Sequence, residues 1–353
     1  MLILRSDASR DSYVRERENA KAARSADSAI IVEGHRSNLF LPWRKLGLVI
    51  VDEEQSPSYK QGTAAPRYNA RDAALALARL HGACVLLGSA VPSMESQYNA
   101  ATGKFALVTK SLSDLPSPEA IDTGVERRKN GMVGSFSRKL ISRMAQTLEN
   151  GGRILLLVPW KDTDDIEIEA RGLFPQARTR LAVCPLDKAK DVKKYSLVAL
   201  LRAERLLLGE DFRLDEKMLR TLSRLQHETG ECLIIQGSDI LERLPGEGAA
   251  ARLLEERRAF ALPPFSRLVS ISVSDKNEPR LEKLSRALIA AAAPHTLSFQ
   301  GPFIPSPSER VYQLFLPKDA TLETRKCRLR RIVTDFEKEK KYTGHITIDV
   351  DPI

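Results

Sequence analysis

Cysteine is scarce: the chain of 353 residues has four, Cys84, Cys184, Cys232 and Cys327, far apart and with no C-x2-C spacing. A structural zinc site needs closely spaced thiolate or imidazole ligands, and the histidines are scattered as well, so neither zinc nor another metal is expected. All four thiols read as free, three of them in apolar, core-like surroundings. Long hydrophobic runs are missing too; none approaches the roughly 18–20 residues of a membrane span. The opening MLILRSDASR has a very short apolar stretch and no small-residue cleavage site, so no signal peptide and no membrane partner are expected, and a cytoplasmic location is the default. A phosphate-gripping G-x-x-x-x-G-K-[ST] loop is also lacking. The Gly-Lys at Gly103-Lys104 follows no strand and has neither the earlier glycine nor the following Ser/Thr.

What is present begins with charge. Lys and Arg number 55 against 46 Asp and Glu, giving a formal net charge of +9 and a pI near 9.4. That balance suits a polyanion, most commonly nucleic acid, with generic basicity as the plain alternative. Hydrophobic residues at 42% and charged residues at 29% are ordinary for a globular protein, and the length accommodates two or three domains.

The most informative stretch is LGLVIVDEEQ, residues 46–55. Leu48–Val51 is apolar without alternation and runs into Asp52, Glu53 and Glu54. Such a run reads as a strand buried on both faces of a parallel sheet, and α/β proteins bind ligands at the carboxyl ends of those strands. In nucleotide hydrolases this is the Walker B position, where the first acid, here Asp52, helps hold Mg²⁺ and the second, Glu53, orients water. A strand followed by a solvated acidic turn is the alternative. Strands are expected at about 29–33, 47–51 and 83–87. Between the last two, Asn69 can cap a helix over residues 70–80 that Gly82 stops. The Asp52–Glu54 turn and the turn at Gly88-Ser89-Ala90 should then share one sheet edge. Residues 10–28 read as a solvated amphipathic helix and Lys110–Gly134 as a connector. A helix over 135–150 and strands at 153–158 and 231–236 follow. A helix over 250–258 and a strand at 268–273 lie toward the end.

Over some seventy residues the motifs line up with a known family. Gly34, Arg36, Ser37, Leu39, Phe40 and Pro42 precede Asp52-Glu53-Glu54. Ser58-Tyr59-Lys60-Gln61, Arg67-Tyr68 and Ala70-Arg71-Asp72 follow, then Gly88-Ser89-Ala90, Pro92-Ser93 and Glu95-Ser96. In content and order this resembles primosomal protein N′ (PriA), the bacterial replication-restart helicase family of superfamily two. Leu262-Pro263-Pro264-Phe265 and the ending Asp349-Val350-Asp351-Pro352 resemble the family's C-terminal domain, and the two aspartates read as a strand terminus without metal. The resemblance implies an α/β fold with two remnant RecA-like lobes built on parallel sheets, over residues 1–112 and 113–245, plus a small α+β C-terminal domain over 246–353. Met1 is expected to lie past the family's phosphate loop and amino-terminal DNA-binding domain.

Departures bear on the chemistry. The family's histidine after the glutamates is Gln55, and the threonine of its S-A-T motif is Val91, which loses a hydroxyl at nearly constant volume. VPWKDTDD stands where the family enters its eight-cysteine zinc module, so that module is absent from the expectation. The arginine block after the family's D-F-R segment is replaced by TLSRLQHETGECLIIQG. Asp52 and Glu53 therefore read as a Walker B remnant, and Gly88, Ser89 and Ala90 as the loop that couples nucleotide and DNA in the family. Candidate phosphate contacts are Arg36, Lys60, Arg67 and Arg71, with Tyr59 and Tyr68 on a loop expected to be exposed, where they could stack on unpaired bases. The implied function is DNA binding in replication restart or primosome assembly, on forked or single-stranded DNA, without ATPase or helicase activity. Primosome or single-strand-binding proteins are implied partners, and ATP and Mg²⁺ cofactors only if the family activity is retained. The alternative is an ATP-dependent 3′–5′ helicase at stalled forks.

Overall fold

The computed structural model describes residues 1–5, 31–62, 66–108, 117–159, 163–177, 179–209, 211–244, 248–295, 297–338 and 344–352. The helix expected over 10–28 lies outside them. The chain forms two compact units. One joins Met1–Asn99 to Leu254–Ile353, and the other is Ala100–Leu253.

The first segment builds a four-stranded parallel sheet from β1 (Leu2–Leu4), β2 (Val32–Gly34), β3 (Leu48–Val51) and β4 (Cys84–Leu87), in the order β2-β1-β3-β4. β1 was not expected, because three residues carry no readable period, yet it sits between β2 and β3. The strand expected at 29–33 is described from Val32 and runs on to Gly34. Helix α1 (Ala70–His81) crosses over from β3 to β4, and α2 (Met94–Ala101) follows β4. Both ends of α1 are as the sequence requires. Asn69 Oδ1 accepts the Arg71 N–H at 2.9 Å, and Gly82 takes the left-handed conformation (φ 64°) while its N–H reaches the last-turn carbonyls. Ala70, Ala74 and Ala78, one helical turn apart, are buried and let α1 lie close on Leu2, Leu4, Val49 and Val51.

The second unit contains β5 (Glu119–Asp122), α3 (Thr123–Lys129), β6 (Met132–Val133), β7 (Phe136–Ser137), α4 (Arg138–Glu149) and β8 (Ile154–Val158). It continues with α5 (Thr163–Leu173), β9 (Leu181–Pro185), β10 (Leu197–Leu200), α6 (Leu214–Glu228) and β11 (Cys232–Gly237). Its main sheet is parallel, in the order β5-β11-β10-β8-β9. α4 and α5 share one apolar core with the sheet and α6 the other, so β8 is buried at all five positions and reads as an unbroken apolar run. The expected connector is partly structure. Beyond Ser117 it holds β5, α3 and β6, elements too short and too polar to show a period; within β5 only Ile121 is buried. Ser137 caps α4, its Oγ accepting the Leu140 N–H at 3.1 Å, so that helix starts three residues later than expected.

After α7 (Ala249–Ala259) come β12 (Ser266–Ser274), α8 (Glu278–Ala292), β13 (Gln300–Ser306), β14 (Glu309–Pro317), α9 (Leu322–Lys338) and β15 (His345–Val350). This is a β-α-β-β-α-β sequence in an antiparallel sheet of order β13-β14-β12-β15, the ferredoxin-like arrangement. Leu281, Leu284 and Leu288 of α8 and Leu329, Ile332 and Val333 of α9 pack on Val269, Ile271, Tyr312, Leu314 and Ile346, so both helices cover one sheet face. The protein is thus mixed α/β, with two parallel sheets and one antiparallel α+β domain. Among the described residues no helix is long and apolar enough to cross a membrane.

Candidate functional site

Val51 pairs in register with Leu87, so the turns that leave β3 and β4 emerge side by side at the carboxyl edge of the first sheet. The Asp52 N–H donates to Leu4 O at 3.0 Å, and the Glu54 N–H to Gly88 O at 3.0 Å, which binds the acidic turn to both neighbouring strand ends. Asp52 and Glu53 are exposed; the Asp52 carboxylate accepts the Glu53 N–H at 3.1 Å, and Gln55 Nε2 donates to Glu53 Oε2 at 2.5 Å. Glu53 is left-handed (φ 51°), which a non-glycine residue adopts only when its surroundings hold it. Gly88 and Ser89 are half-buried and Ala90 exposed, and Ser89 Oγ accepts the Val91 N–H at 3.1 Å.

Glu54, the third acid, was not singled out from sequence, and it organises the edge. It is 2% exposed. Its carboxylate accepts the Ser93 N–H at 2.6 Å, the Ser93 hydroxyl at 3.0 Å and Arg71 Nη1 at 3.0 Å. Burial pulls the Arg71 pKa down, but Asp72, Glu95 and Glu54 outweigh it and the net shift is upward, so this guanidinium stays charged. Glu54, Ser93 and Arg71 therefore staple the acidic turn to the turn after β4 and to the start of α1.

Mg²⁺ is held by one or two carboxylates together with substrate phosphates. Asp52 and Glu53 offer two exposed carboxylates at this edge. Among the described residues no group of three or more His, Cys, Asp or Glu side chains is placed to hold a metal ion. All four cysteines are free. The expectation of three core thiols does not hold: Cys84 and Cys327 are exposed and Cys184 and Cys232 half-buried. Cys84 sits on an open edge strand, and Cys327 on the solvent side of α9.

The expected DNA contacts need correction. Tyr59 is 1% exposed; its hydroxyl donates to Leu4 O at 3.0 Å and Asp52 O at 2.5 Å, which pins it under the sheet edge, where it cannot stack on a base. Lys60, expected at the surface, is 8% exposed. Its Nζ donates to Val350 O at 2.5 Å and stands 2.7 Å from Asp349 Oδ1; that carboxylate contact is an ion pair rather than a hydrogen bond. Arg36 donates to Ser58 O at 2.6 Å and Gln61 Oε1 at 2.8 Å, bracing the same loop from below. Arg71 belongs to the staple. Arg67, 4.0 Å from Asp349, and Tyr68 are half-buried. Tyr68 meets Phe40 edge-on at 5.0 Å, and burial raises its phenol pKa against the opposing pull of Arg36. Sequence alone gave no sign that Lys60 ends on the C-terminal strand. The one available signal was the polar ending Asp349-Val350-Asp351. Both aspartates lie at the end of β15, as expected: Asp349 serves Lys60, and Asp351 takes Arg267 and the Leu268 N–H. Tyr98 and Phe265, ring centroids 5.0 Å apart, add an apolar contact to the same joint.

Two comparisons bear on identity. Residues 258–353 match the primosomal protein N C-terminal domain family. The replication restart protein PriA of Rickettsia felis is 25% identical over 438 residues, spanning 93% of this chain and 66% of that protein. This chain is similar to PriA proteins along most of its length. The PriA of Chlamydia pneumoniae is 41% identical over 136 residues, 37% of this chain and 18% of its own length. The chain therefore spans from under a fifth to about two thirds of these PriA relatives. Among solved structures, Clostridium acetobutylicum aspartate kinase aligns over 86% of this chain and 78% of its own, at 9% identity and a TM-score of 0.19, a likeness that carries no argument.

Proposed function

We propose that this chain binds DNA in replication restart, as an assembly or scaffolding protein on forked or single-stranded DNA, and does not hydrolyse ATP or unwind duplex. The carrying observation is the state of the nucleotide edge: Glu54 is locked to Ser93 and Arg71, and Asp52 and Glu53 stand exposed with no phosphate-binding partner in the sequence. Phosphoryl transfer depends on a lysine, Mg²⁺ and an arginine that neutralise charge together. Losing one such donor costs about 100–1000-fold, and this chain lacks the lysine loop and the arginine block. The DNA half of the reading is supported by the net charge of +9 and by relatives named as replication restart proteins. Primosome and single-strand-binding proteins are partners consistent with the same reading. Of the residues first read as DNA contacts, Arg67 and Tyr68 keep enough exposure to touch a strand.

One observation favours the alternative, an ATP-dependent 3′–5′ helicase: Asp52 and Glu53 remain exposed beside Gly88, where a nucleotide completed by another chain would meet them. Steady-state ATP hydrolysis with and without forked DNA separates the two. The proposal expects no DNA-stimulated turnover and the same fork affinity with or without ATP. Turnover that Asp52→Asn abolishes would establish the alternative.

A further inference from the structure

A sheet ends on edge strands, whose unpaired N–H and C=O groups template pairing with another chain unless something guards them. The other edges described here are guarded. β2 carries Glu33, paired with Arg5, and β5 carries Glu119, paired with Lys139 and Arg143. β13 is interrupted by Pro302 and Pro305, β9 has no exposed position, and Lys60 takes the Val350 carbonyl of β15. β4 has no such device. Its sequence, CVLL, holds neither charge nor proline, and Cys84 and Leu86 are exposed, Leu86 by 53%. An unbroken apolar run is the mark of an interior strand of a parallel sheet, whereas β4 has a neighbour on the β3 side only.

The backbone pattern of β4 fixes how a second copy would meet it. The N–H groups of Cys84 and Gly88 donate to Gly47 O and Val51 O, on the β3 side. Backbone groups alternate along a strand, so those of Val85 and Leu87 point to the open edge. A twofold axis through Val85, perpendicular to the sheet, sets that residue against Val85 of the second copy. The two form a hydrogen-bonded antiparallel pair that exchanges both N–H···O=C bonds. The Leu87 N–H then meets the Ala83 carbonyl of the other copy, and Cys84 lies directly opposite Leu86. Val85 and Leu87 side chains pack with the α1 core, so Cys84 and Leu86 occupy the other sheet face. Charge does not oppose the meeting: from Gly82 to Met94 there is no charged residue, although the net charge of the chain is +9. A foreign strand would have to bring a matching register, and a second copy brings it by symmetry.

We propose that β4 is a self-association strand that joins two copies of this chain edge to edge, fusing their four-stranded sheets into one. The inference goes beyond the DNA-binding reading and does not depend on it. The paired strip is short, and interfaces below about 1,200 Å² are mostly transient, so the dimer dissociates on dilution. The axis turns the two acidic turns at Asp52 toward opposite ends of the joined sheet.

Sedimentation velocity of the full chain over a dilution series tests it. The parent should show a reversible monomer–dimer equilibrium, and Leu86→Lys should stay monomeric at concentrations where the parent is a dimer. Leu86 is exposed, so circular dichroism melting curves taken where both are monomeric should match. Register has its own readout. Opposed residues at a non-hydrogen-bonded position stand about 4.5 Å apart between Cα atoms, within disulfide range, and diagonal neighbours at about 7–8 Å lie outside it. Leu86→Cys should therefore form an intermolecular disulfide with Cys84 under mild oxidation, seen as a dimer on non-reducing gels, and Leu86→Cys/Cys84→Ser should not. A parent that is monomeric throughout, a dimer that Leu86→Lys leaves intact, or cross-linking that survives Cys84→Ser would each overturn the β4 pairing. A dimer with these properties that binds no DNA would overturn the DNA-binding reading and leave this one standing.

Discussion

The ammonium of Lys60 is satisfied by the last strand of the protein: it reaches Val350 O, 290 residues further along, at 2.5 Å and stands 2.7 Å from Asp349 Oδ1. Removing one member of a buried pair strands the other. Lys60→Met should destabilise the unit formed by residues 1–99 and 254–353 by roughly 3 kcal/mol, the low end for buried pairs because Asp349 is half-buried. The double variant Lys60→Met/Asp349→Leu should recover much of that loss, since an apolar pair avoids the desolvation that a lone charge suffers. Urea unfolding followed by circular dichroism measures both. A double variant no more stable than Lys60→Met alone would contradict a coupled pair.

Glu54 supports a second test. Glu54→Ala removes the acceptor for Ser93 and the counter-charge of Arg71, and should cost about 3–5 kcal/mol. Asp52→Ala, on an exposed acid in the same turn, should stay within about 0.5 kcal/mol of the parent. Equal effects of the two substitutions would mean that the staple does not hold the edge.

Tyr59→Phe tests the corrected role of that tyrosine. The ring keeps its packing, but the carbonyls of Leu4 and Asp52 lose a donor, so stability should fall by about 1–3 kcal/mol. DNA affinity, compared at the same salt concentration, should not change. A drop in affinity without a drop in stability would return Tyr59 to the binding surface.

Asp211 gives a pH dependence in the second unit. Burial raises its pKa, but the hydrogen bond from Lys217 at 2.6 Å and that from the Arg213 N–H at 3.0 Å outweigh it, and the folded-state pKa is lowered below 3.8. A depressed carboxylate contributes stability that is present above its unfolded pKa, near 3.9, and is lost as pH falls through the folded value. Asp211→Asn should therefore lower the melting temperature at pH 6, and the gap to the parent should close below about pH 4. A gap that persists unchanged to pH 2 would show that ionisation of Asp211 is not involved.

Local signals were legible where one short stretch decides the outcome. Asn69 and Gly82 set the ends of α1, and the unbroken apolar runs before Asp52 and Gly88 are the parallel neighbours β3 and β4. Elements whose identity depends on distant pairing were not legible. β1 is strand because β2 and β3 flank it, and β5 because β11 does. The same limit explains the site. Lys60 and Tyr59 look like surface residues within their own polar loop, and only the C-terminal strand and the sheet edge, both remote in sequence, bury them. Glu54 was hidden differently: three consecutive acids look alike on paper, and the turn alone decides which one points inward.

Because residues 1–99 and 254–353 share one compact unit, the protein cannot finish that unit while it is being made. At translation rates of roughly 5–20 residues per second, Asp349 leaves the ribosome about 15–60 s after Lys60. Throughout that interval the nascent chain carries an ammonium without its counter-charge and a sheet edge without its dock. A ribosome that stalls inside the C-terminal domain releases a product with the same defect, and such a product is an open target for chaperones and proteases.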